Sequence, residues 1–242
     1  MNLVEKIYQR NEKREQVLVE ARIRKPILMK SKLMDGKKNL IIEYKRQSPS
    51  GFSDPVFRNV QEFGQYAEKF ADAFSILTEP THFLGNYQYG TGLQNYNKPI
   101  LMKDFVDRES MIESGYKSGF DAVLLIADFL NGERLEQLSE YAASLHMDVL
   151  IEFHDLINLE RIPTGENVMC GYNRRDLKTL AMDGREGEAL DLMLDRDVRV
   201  LESGINRENY ETFLKMPFQA YLIGTSVLKE PEFLMEIKKR GK

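Results

Sequence analysis

The feature that most constrains the fold of this chain is a regular alternation of strand-like and helix-like segments beyond residue 38. Eight runs rich in Val, Ile, Leu and other strand-forming residues start 19 to 34 residues apart, and segments with helical character lie between them. The strand-like runs cover residues 39–45, 73–78, 99–103, 121–126, 148–153, 167–173, 198–203 and 220–224. The helix-like segments include residues 60–70, 108–118, 132–144 and 187–194. Strands that alternate with helices predict a parallel sheet with helical crossovers.

Eight strand–helix units in one chain favour a closed barrel over an open, doubly wound sheet. No Gly-x-Gly-x-x-Gly motif follows any of the strand-like runs, so the dinucleotide-binding form of the open sheet lacks its fingerprint. The length of 242 residues also suits an α/β barrel, which typically uses about 250. We therefore predict an α/β fold, a single (β/α)8 TIM barrel with an N-terminal helical extension.

The domain organisation follows from the same pattern. We expect a single domain over residues 1–242, in which residues 38–242 form the barrel and residues 1–37 form the extension. Apolar residues spaced among Lys, Arg and Glu predict helix from residue 1 to about residue 35, and Pro26 is expected to divide it into two helices. These apolar residues are Val4, Ile7, Val17, Leu18 and Ile23.

Composition argues against several classes of function. The formal net charge of −4 disfavours a general nucleic-acid or membrane-surface binder. The first residues lack the apolar core of a signal peptide, and no apolar run approaches the ~20 residues of a membrane span. Cys170 is the single cysteine and cannot form an intramolecular disulfide, which suits a reducing compartment. We expect a cytoplasmic protein without nucleic-acid or membrane partners, and the sequence does not identify a protein partner.

The first strand-like run ends in charged residues. Ile41, Glu43 and Lys45 are spaced two apart, so in a strand they share one face. An apolar position therefore gives way to two charges at the carboxyl end of the strand, and a loop of small residues, Ser48-Pro49-Ser50-Gly51, follows. Alone, this pattern also fits a strand that runs out of the core into solvent.

The same change from apolar to charged recurs on every odd-numbered strand. In a barrel, the odd strands contribute four side chains to one interior layer. The pattern predicts a charged layer above an apolar one, with Glu43 above Ile41, Lys103 above Leu101, Glu152 above Leu150 and Glu202 above Val200. Because buried charges are costly, we expect this layer to face a water-filled functional mouth, where a substitution of Lys103 would leave the fold intact.

Later strands add polar groups at the same rim. The sixth run ends in Asn173 and is followed by Arg175, which supply an amide and a guanidinium group. The seventh and eighth runs lead into Gly204 and into Gly224-Thr225. Glycine lets backbone N–H groups approach an anion, a helix N-terminus attracts one, and barrels often bind phosphate in these two loops. We predict a phosphorylated small molecule as substrate, with its phosphate at Gly204, Gly224 and Thr225.

At these residues the chain resembles the indole-3-glycerol phosphate synthase family of tryptophan biosynthesis. The resemblance covers nearly all of residues 38–235 and depends on several motifs that follow in the family's order. They are Glu43-Tyr-Lys45-Arg-Gln-Ser48-Pro49-Ser50, Pro99-Ile-Leu-Met-Lys103-Asp104-Phe105, Ala122-Val-Leu124-Leu-Ile, Val149-Leu-Ile-Glu152-Phe-His154-Asp155, Asn173-Arg-Arg175-Asp176-Leu177, Glu202-Ser203-Gly204-Ile205 and Leu222-Ile-Gly224-Thr-Ser. Phe153, Arg174 and Thr225 depart from the residues more usual in the family.

The resemblance implies a carbon–carbon lyase that closes the pyrrole ring of 1-(2-carboxyphenylamino)-1-deoxyribulose 5-phosphate, with loss of carbon dioxide and water. It implies that Lys103 protonates the ketone as the aromatic carbon attacks it. Lys45 becomes a phosphate or carboxylate contact or the acid of the dehydration, and Glu43 and Glu152 are the candidates for its base. No redox step occurs, so we expect no cofactor, and the three His residues lie too far apart in sequence to predict a metal site.

The resemblance also implies contacts with the substrate. Asn173, Arg175, Glu202 and Ser203 would orient its hydroxyl groups and carboxylate, and Ser48 is assigned to substrate binding. A second group, Phe83, Phe105 and Leu124, would border the apolar anthranilate ring. The N-terminal helices would cover part of the barrel mouth.

Two alternatives stay open at this point. One is another phosphate-binding barrel lyase or isomerase, such as phosphoribosylanthranilate isomerase, which would need a Cys and an Asp at strand ends that here carry Glu43, Lys45 and Glu152. The other is a non-catalytic barrel that senses a phosphorylated metabolite. A sensor would not require both an acid and a base.

Overall fold

The computed structural model describes residues 1–11, 13–14, 21–53 and 56–240, and its centre is a closed barrel of eight parallel strands in sequential order. The strands are β1 Asn39–Tyr44, β2 Ala73–Leu77, β3 Ile100–Lys103, β4 Ala122–Ile126, β5 Asp148–Phe153, β6 Val168–Asn173, β7 Arg199–Glu202 and β8 Ala220–Ile223. Parallel pairing of β1 with β8 closes the barrel. The predicted (β/α)8 TIM barrel is confirmed, and each strand lies within the run predicted for it.

Helices connect and surround the strands. They are α1 Leu3–Asn11, α2 Met29–Leu33, α3 Val60–Ala67, α4 Gln88–Thr91, α5 Glu109–Lys117, α6 Gly132–Ser144, α7 Glu186–Leu192, α8 Tyr210–Lys215, α9 Thr225–Lys229 and α10 Phe233–Arg240, with a 3₁₀ helix at Leu156–Arg161. The side chains of Asn59 and Asn131 cap α3 and α6 by accepting hydrogen bonds from backbone N–H groups of the first turn. Across the described ranges, no helix has the length and apolar character needed to cross a membrane.

Two apolar cores lie on the two faces of the sheet. Outward-facing strand residues such as Ile42 and Phe74 pack against the helices. Inward-facing residues fill the barrel, among them Ile41, Ala73, Leu101, Ala122, Leu150, Met169, Val200 and Ala220. The apolar layer predicted from the odd strands is confirmed, because Ile41, Leu101, Leu150 and Val200 are all fully buried. The polar layer above it therefore has a packed, rigid floor.

The N-terminal extension differs from its prediction. Residues 21–28 are not helical, although α1 and α2 are present on either side of the predicted break. The reason is tertiary, since the guanidinium group of Arg24 binds the buried carboxylate of Asp121 at 2.7 and 2.8 Å and Arg22 lies 3.6 Å from the same carboxylate. These ion pairs hold the segment in extended form against the amino end of β4. The predicted helical residues Val17 and Leu18 lie outside the described residues.

The two N-terminal helices lie at opposite ends of the barrel. In α1, the side chain of Asn11 donates a hydrogen bond of 2.6 Å to the carbonyl oxygen of Phe105, just beyond the carboxyl end of β3. In α2, the backbone N–H of Lys30 donates to Asp148 at the amino end of β5, and Leu33 is fully buried under the barrel. Only α1 thus occupies the position over the mouth that the resemblance implies. A single domain with a boundary at residue 37 stays a prediction.

Candidate active site

A cavity of about 620 Å³ opens at the carboxyl ends of the strands, inside the ring of loops that follow them. The inward-facing ends of β1, β3, β5 and β6 form its floor, and the loops after β1, β6, β7 and β8 form its rim. The predicted site residues that line it are Glu43, Lys45, Ser48, Phe83, Lys103, Phe105, Leu124, Glu152, Asn173, Arg175, Ser203, Gly204, Gly224 and Thr225. Of the predicted set, Glu202 alone lies outside the lining, beneath Lys103.

The ammonium group of Lys103 lies between two carboxylates in the floor. Its Nζ is 2.5 Å from Oε2 of Glu202 and 3.1 Å from Oε2 of Glu152. These residues come from β3, β5 and β7, whose alternation places their inward side chains at one level. The charged layer predicted from the odd strands is therefore present as a network of ion pairs.

A second ion pair completes this layer on the β1 side. Oε1 of Glu43 lies 2.6 Å from Nζ of Lys45, which is two residues further along the same face. The same oxygen lies within clash distance of a Cβ at Gly224, so the turn after β8 can approach this carboxylate only because residue 224 is glycine. Gly224 thus has a steric role that the sequence did not predict, in addition to its predicted place at the phosphate.

The charged layer is more deeply buried than expected. Glu202 is 0%, Glu152 2% and Glu43 5% exposed, whereas the sequence predicts charges that face a water-filled mouth. The side chain of Lys103 retains 15% exposure and is the most exposed member of the Lys103–Glu152–Glu202 group. The prediction that substitution of Lys103 leaves the fold intact assumed solvated charges, and that assumption is wrong. Removing the cation from a buried ion pair leaves uncompensated charge.

The charges in the layer change one another's protonation. Burial acts to lower the pKa of Lys103, but the three surrounding carboxylates raise it well above its ordinary value. Burial raises the pKa of Glu202 to about 8, although Lys103 acts in the opposite direction. Burial also acts to raise the pKa of Glu43, but Lys45 and Lys103 outweigh it and hold that pKa below its ordinary value. These shifts favour a charged Lys103 and an ionised Glu43, and they move the titration of Glu202 towards neutral pH.

The end of β6 fixes the orientation of Glu152. The side-chain amide of Asn173 donates to Oε1 of Glu152 at 3.3 Å, and the backbone N–H of Arg175 donates to the amide oxygen of Asn173 at 3.0 Å. A ring nitrogen of His154 lies 2.9 Å from the carbonyl oxygen of Asn173. Arg175 also donates to the carbonyl oxygen of Leu180, which folds the loop after β6 back over the cavity. Glu152 is thus held from two sides, by an amide and by an ammonium group.

One wall of the cavity is apolar and aromatic. The rings of Phe83 and Phe105 have centroids 6.1 Å apart, and Leu124 lines the same wall. Tyr8 of α1 packs edge-on against Phe105 at 6.0 Å, so the N-terminal helix supports this wall from outside. A flat aromatic substrate group fits such a wall because aromatic rings stack or meet edge to face at these separations.

The loops after β7 and β8 form a polar corner of the cavity. Ser203 and Gly204 both have positive φ angles, 71° and 68°, which turn the chain sharply after β7. The hydroxyl of Ser226 donates a hydrogen bond of 2.7 Å to the carbonyl oxygen of Ile205 and so joins the two loops. Since α9 begins at Thr225, its first backbone N–H groups face this corner without helical partners.

Several lining residues were not predicted. Leu3 and Val4 of α1 and Leu180 of the loop after β6 contribute apolar surface to the cavity. Leu177 and Leu180 are three residues apart in the otherwise polar stretch of residues 174–180, a signal that was present in the sequence. No comparable signal marks α1, because its position depends on contacts with residues about a hundred positions away. Arg174 turns away from the cavity and lies over the ring of Phe213.

Comparison with known proteins identifies relatives of nearly the full chain. A family model described as "Indole-3-glycerol phosphate synthase" matches residues 3–239. The indole-3-glycerol phosphate synthase of Picrophilus torridus is 43% identical over 238 residues, which cover 96% of this chain and 94% of that protein. The protein of the same name from Thermoplasma volcanium is 44% identical over 207 residues, covering 85% and 84%.

Solved structures with similar folds are more distant in sequence. The crystal structure of KGPDC from Streptococcus mutans aligns with a TM-score of 0.61 at 10% identity and covers 85% of this chain and 97% of that one. The 3-keto-L-gulonate-6-phosphate decarboxylase of Vibrio cholerae aligns with a TM-score of 0.57 at 13% identity, covering 82% and 93%. At these identities the likeness is one of fold alone.

The raised pKa of Glu202 predicts how a neutral substitution changes stability with pH. A carboxyl whose pKa rises from 4.5 in the unfolded chain to about 8 in the fold stabilises the fold below the lower value, and this contribution is lost as pH rises to the upper one. Glu202→Gln has no such group, so its free energy of unfolding should improve relative to the native chain between pH 5 and pH 8, on the order of 4 kcal/mol in all.

Denaturant unfolding at several pH values measures this difference. Glu188→Gln, at an exposed position on α7, serves as the control and should show no such trend. A difference between Glu202→Gln and the native chain that stays constant with pH would contradict a protonated Glu202.

Proposed function

The chain belongs to the indole-3-glycerol phosphate synthase family, and on that premise we propose which residues carry out each step of the family reaction. The activity is that of a carbon–carbon lyase of tryptophan biosynthesis, which closes the pyrrole ring of 1-(2-carboxyphenylamino)-1-deoxyribulose 5-phosphate with loss of carbon dioxide and water. The match over residues 3–239 decides against the isomerase and the sensor. The observation that carries the proposal is the ammonium group of Lys103, held between Glu152 and Glu202 at the cavity floor.

Ring closure needs a proton at the ketone oxygen of the substrate. The aromatic carbon that bears the carboxylate attacks the ketone carbon, a carbon–carbon bond forms, and the carbonyl electron pair takes up a proton. Lys103 is the donor, because its ammonium group reaches the cavity and the surrounding carboxylates keep it protonated. The bond to the carboxylate then breaks, carbon dioxide leaves, and the electron pair of that bond restores the aromatic ring.

The last step removes a hydroxyl group and a proton to complete the pyrrole ring. An acid must protonate the leaving hydroxyl while a base takes the proton from carbon. Lys45 and Glu43 lie 2.6 Å apart at the cavity floor and supply both functions at one place. We assign Lys45 as the acid and Glu43, which is ionised at neutral pH, as the base. Glu152 instead orients Lys103, since it contacts both that ammonium group and Asn173.

The remaining lining residues hold the substrate. The anthranilate ring lies against the apolar wall of Phe83, Phe105 and Leu124, and the phosphate lies in the corner formed by the loops after β7 and β8. Two observations support this position of the phosphate. Gly204, Gly224 and Thr225 line the corner, and the first N–H groups of α9 have no helical partners. In the same proposal Ser48, Arg175, Asn173 and Ser203 contact the hydroxyl groups and the carboxylate.

The proposed chemistry also determines which cofactors and ligands the protein needs. Every proton transfer is carried by Lys and Glu side chains, so no cofactor or metal is required. The ligand is a phosphorylated small molecule. A cytoplasmic location stays a prediction, which the buried thiol of Cys170 suits because it forms no disulfide.

Lys103→Met should abolish most of the activity. The substitution keeps the length of the side chain and deletes the proton donor, so kcat should fall by at least roughly a hundredfold. The ultraviolet absorbance of indole-3-glycerol phosphate reports turnover, and the assay includes a chelator because no metal is needed. The variant should also be less stable at pH 8 than at pH 5, since protonation relieves the burial of unpaired carboxylates.

The matched control is Lys178→Met, which changes an exposed lysine outside the cavity and should leave kcat unchanged. A folded Lys103→Met variant with near-normal kcat would show that Lys103 is not the ring-closure acid. Lys45 would then be the leading candidate.

Lys45→Met should separate the two halves of the reaction. Ring closure and loss of carbon dioxide precede dehydration, so in a single turnover this variant should release carbon dioxide while indole absorbance appears at least about a hundredfold more slowly. Lys103→Met should retard both signals together. If Lys45→Met instead raises KM, leaves kcat unchanged and weakens competition by inorganic phosphate, Lys45 is a phosphate contact and not the dehydration acid.

A further inference from the structure

Gly171 occupies an inward-facing position of β6 at the level of the charged layer. It lies between Met169, which fills the barrel interior, and Asn173, which contacts Glu152. Glycine in the middle of a strand costs backbone entropy and offers no side chain to pack. All of β6 is buried, so the absence of a side chain here calls for a structural reason.

The space beside Gly171 is occupied by the carboxylate of Glu202. A Cβ at residue 171 would lie 2.5 Å from Oε1 of Glu202 and 3.1 Å from a methyl carbon of Leu150. The first separation is far inside van der Waals contact, so the carboxylate and an alanine side chain cannot both occupy these positions. Glu202 therefore extends into a notch that exists only because residue 171 is glycine.

The notch determines which way the carboxylate of Glu202 faces. Oε1 lies in the notch and has no hydrogen-bond partner among the described residues, while Oε2 lies 2.5 Å from Nζ of Lys103. Because Oε1 of Glu202 lies in the notch, Oε2 faces the ammonium group of Lys103. The raised pKa of Glu202 agrees with this environment, since a neutral carboxyl tolerates an apolar notch better than an ionised one does.

The same relation occurs on the opposite side of the layer. Oε1 of Glu43 lies too close to Gly224, in the turn after β8, to leave room for a Cβ there, and this oxygen also binds Lys45. Two of the three carboxylates are therefore placed by a neighbouring glycine. These two carboxylates make the shorter contacts with lysine, 2.6 and 2.5 Å, whereas Glu152 lies 3.1 Å from Lys103.

We propose that Gly171 is a positioning residue for catalysis: its missing side chain seats the carboxylate of Glu202 so that this group contacts and orients the ammonium group of Lys103. The proposal rests on the proposed role of Lys103 as the ring-closure acid. Gly171 itself does not line the cavity or touch the substrate.

Gly171→Ala tests the proposal. The atom that an added methyl group would meet is the far end of a flexible side chain, so the barrel should still fold while Glu202 moves away from its seat. Lys103 then loses part of its orientation, and kcat should fall at least roughly tenfold with KM within about twofold of its native value. Gly187→Ala is the control, because nothing lies within 4 Å of the position of its Cβ.

A double-mutant cycle with Glu202→Ala shows whether the effect runs through Glu202. In the Glu202→Ala background the clashing oxygen is gone, so Gly171→Ala should change both kcat and thermal stability by little. If Gly171→Ala alone does not fold, the double variant should fold again. An equal loss of kcat in both backgrounds, or failure of both variants to fold, would overturn the proposal.

The thermal stabilities of these variants distinguish failure of this inference from failure of the proposed function. The stabilities of the variants could show coupling between positions 171 and 202 while Gly171→Ala keeps its kcat. That result would overturn the positioning role, although the steric contact between Gly171 and Glu202 would still be supported. If Gly171→Ala is inactive and Lys103→Met is active, Lys103 is not the ring-closure acid. The positioning role of Gly171 would then also be wrong, because it depends on that assignment.

Discussion

The interior of this barrel depends on the ammonium group of Lys103, which lies between two buried carboxylates. Glu152 and Glu202 are almost completely removed from water, and each lies within hydrogen-bond distance of this group. Carboxylates in such surroundings cost several kcal/mol each unless they are paired or protonated. Here Lys103 pairs with both carboxylates, and burial raises the pKa of Glu202 to about 8.

The barrel makes this arrangement attainable. Odd strands contribute side chains to shared levels, so three strands that are far apart in sequence bring a lysine and two glutamates together over an apolar floor. Neighbouring strands leave room for the carboxylates where they carry glycine, as at Gly171. The same low-dielectric setting that makes the charges costly also keeps the proton donor in one orientation, which is what acid catalysis on a bound ketone requires.

The barrel and the residues of its charged layer could be predicted from the sequence. The alternation of eight strand-like runs with helix-like segments predicted the barrel. The change from Ile41 to Glu43, which recurs on three other strands, predicted the composition of the layer. Periodicity reports which residues share a face, and it does not report how far water penetrates. The burial of Glu202 and the notch at Gly171 depend on side-chain contacts between neighbouring strands, which periodicity does not describe. The extended form of residues 21–28 depends on Asp121, about a hundred positions away, so local propensity could not predict it.

The charged layer places a carboxyl group with a pKa raised to about 8, that of Glu202, beside a charged lysine. Infrared difference spectroscopy of the ligand-free protein, with Glu202→Gln as the reference, detects the carbonyl stretch of that acid directly. We expect a carboxylic acid band that persists at pH 7, disappears with a midpoint near pH 8 and is absent from the variant. A carboxyl signal at this position that is fully ionised by pH 6 would contradict this expectation.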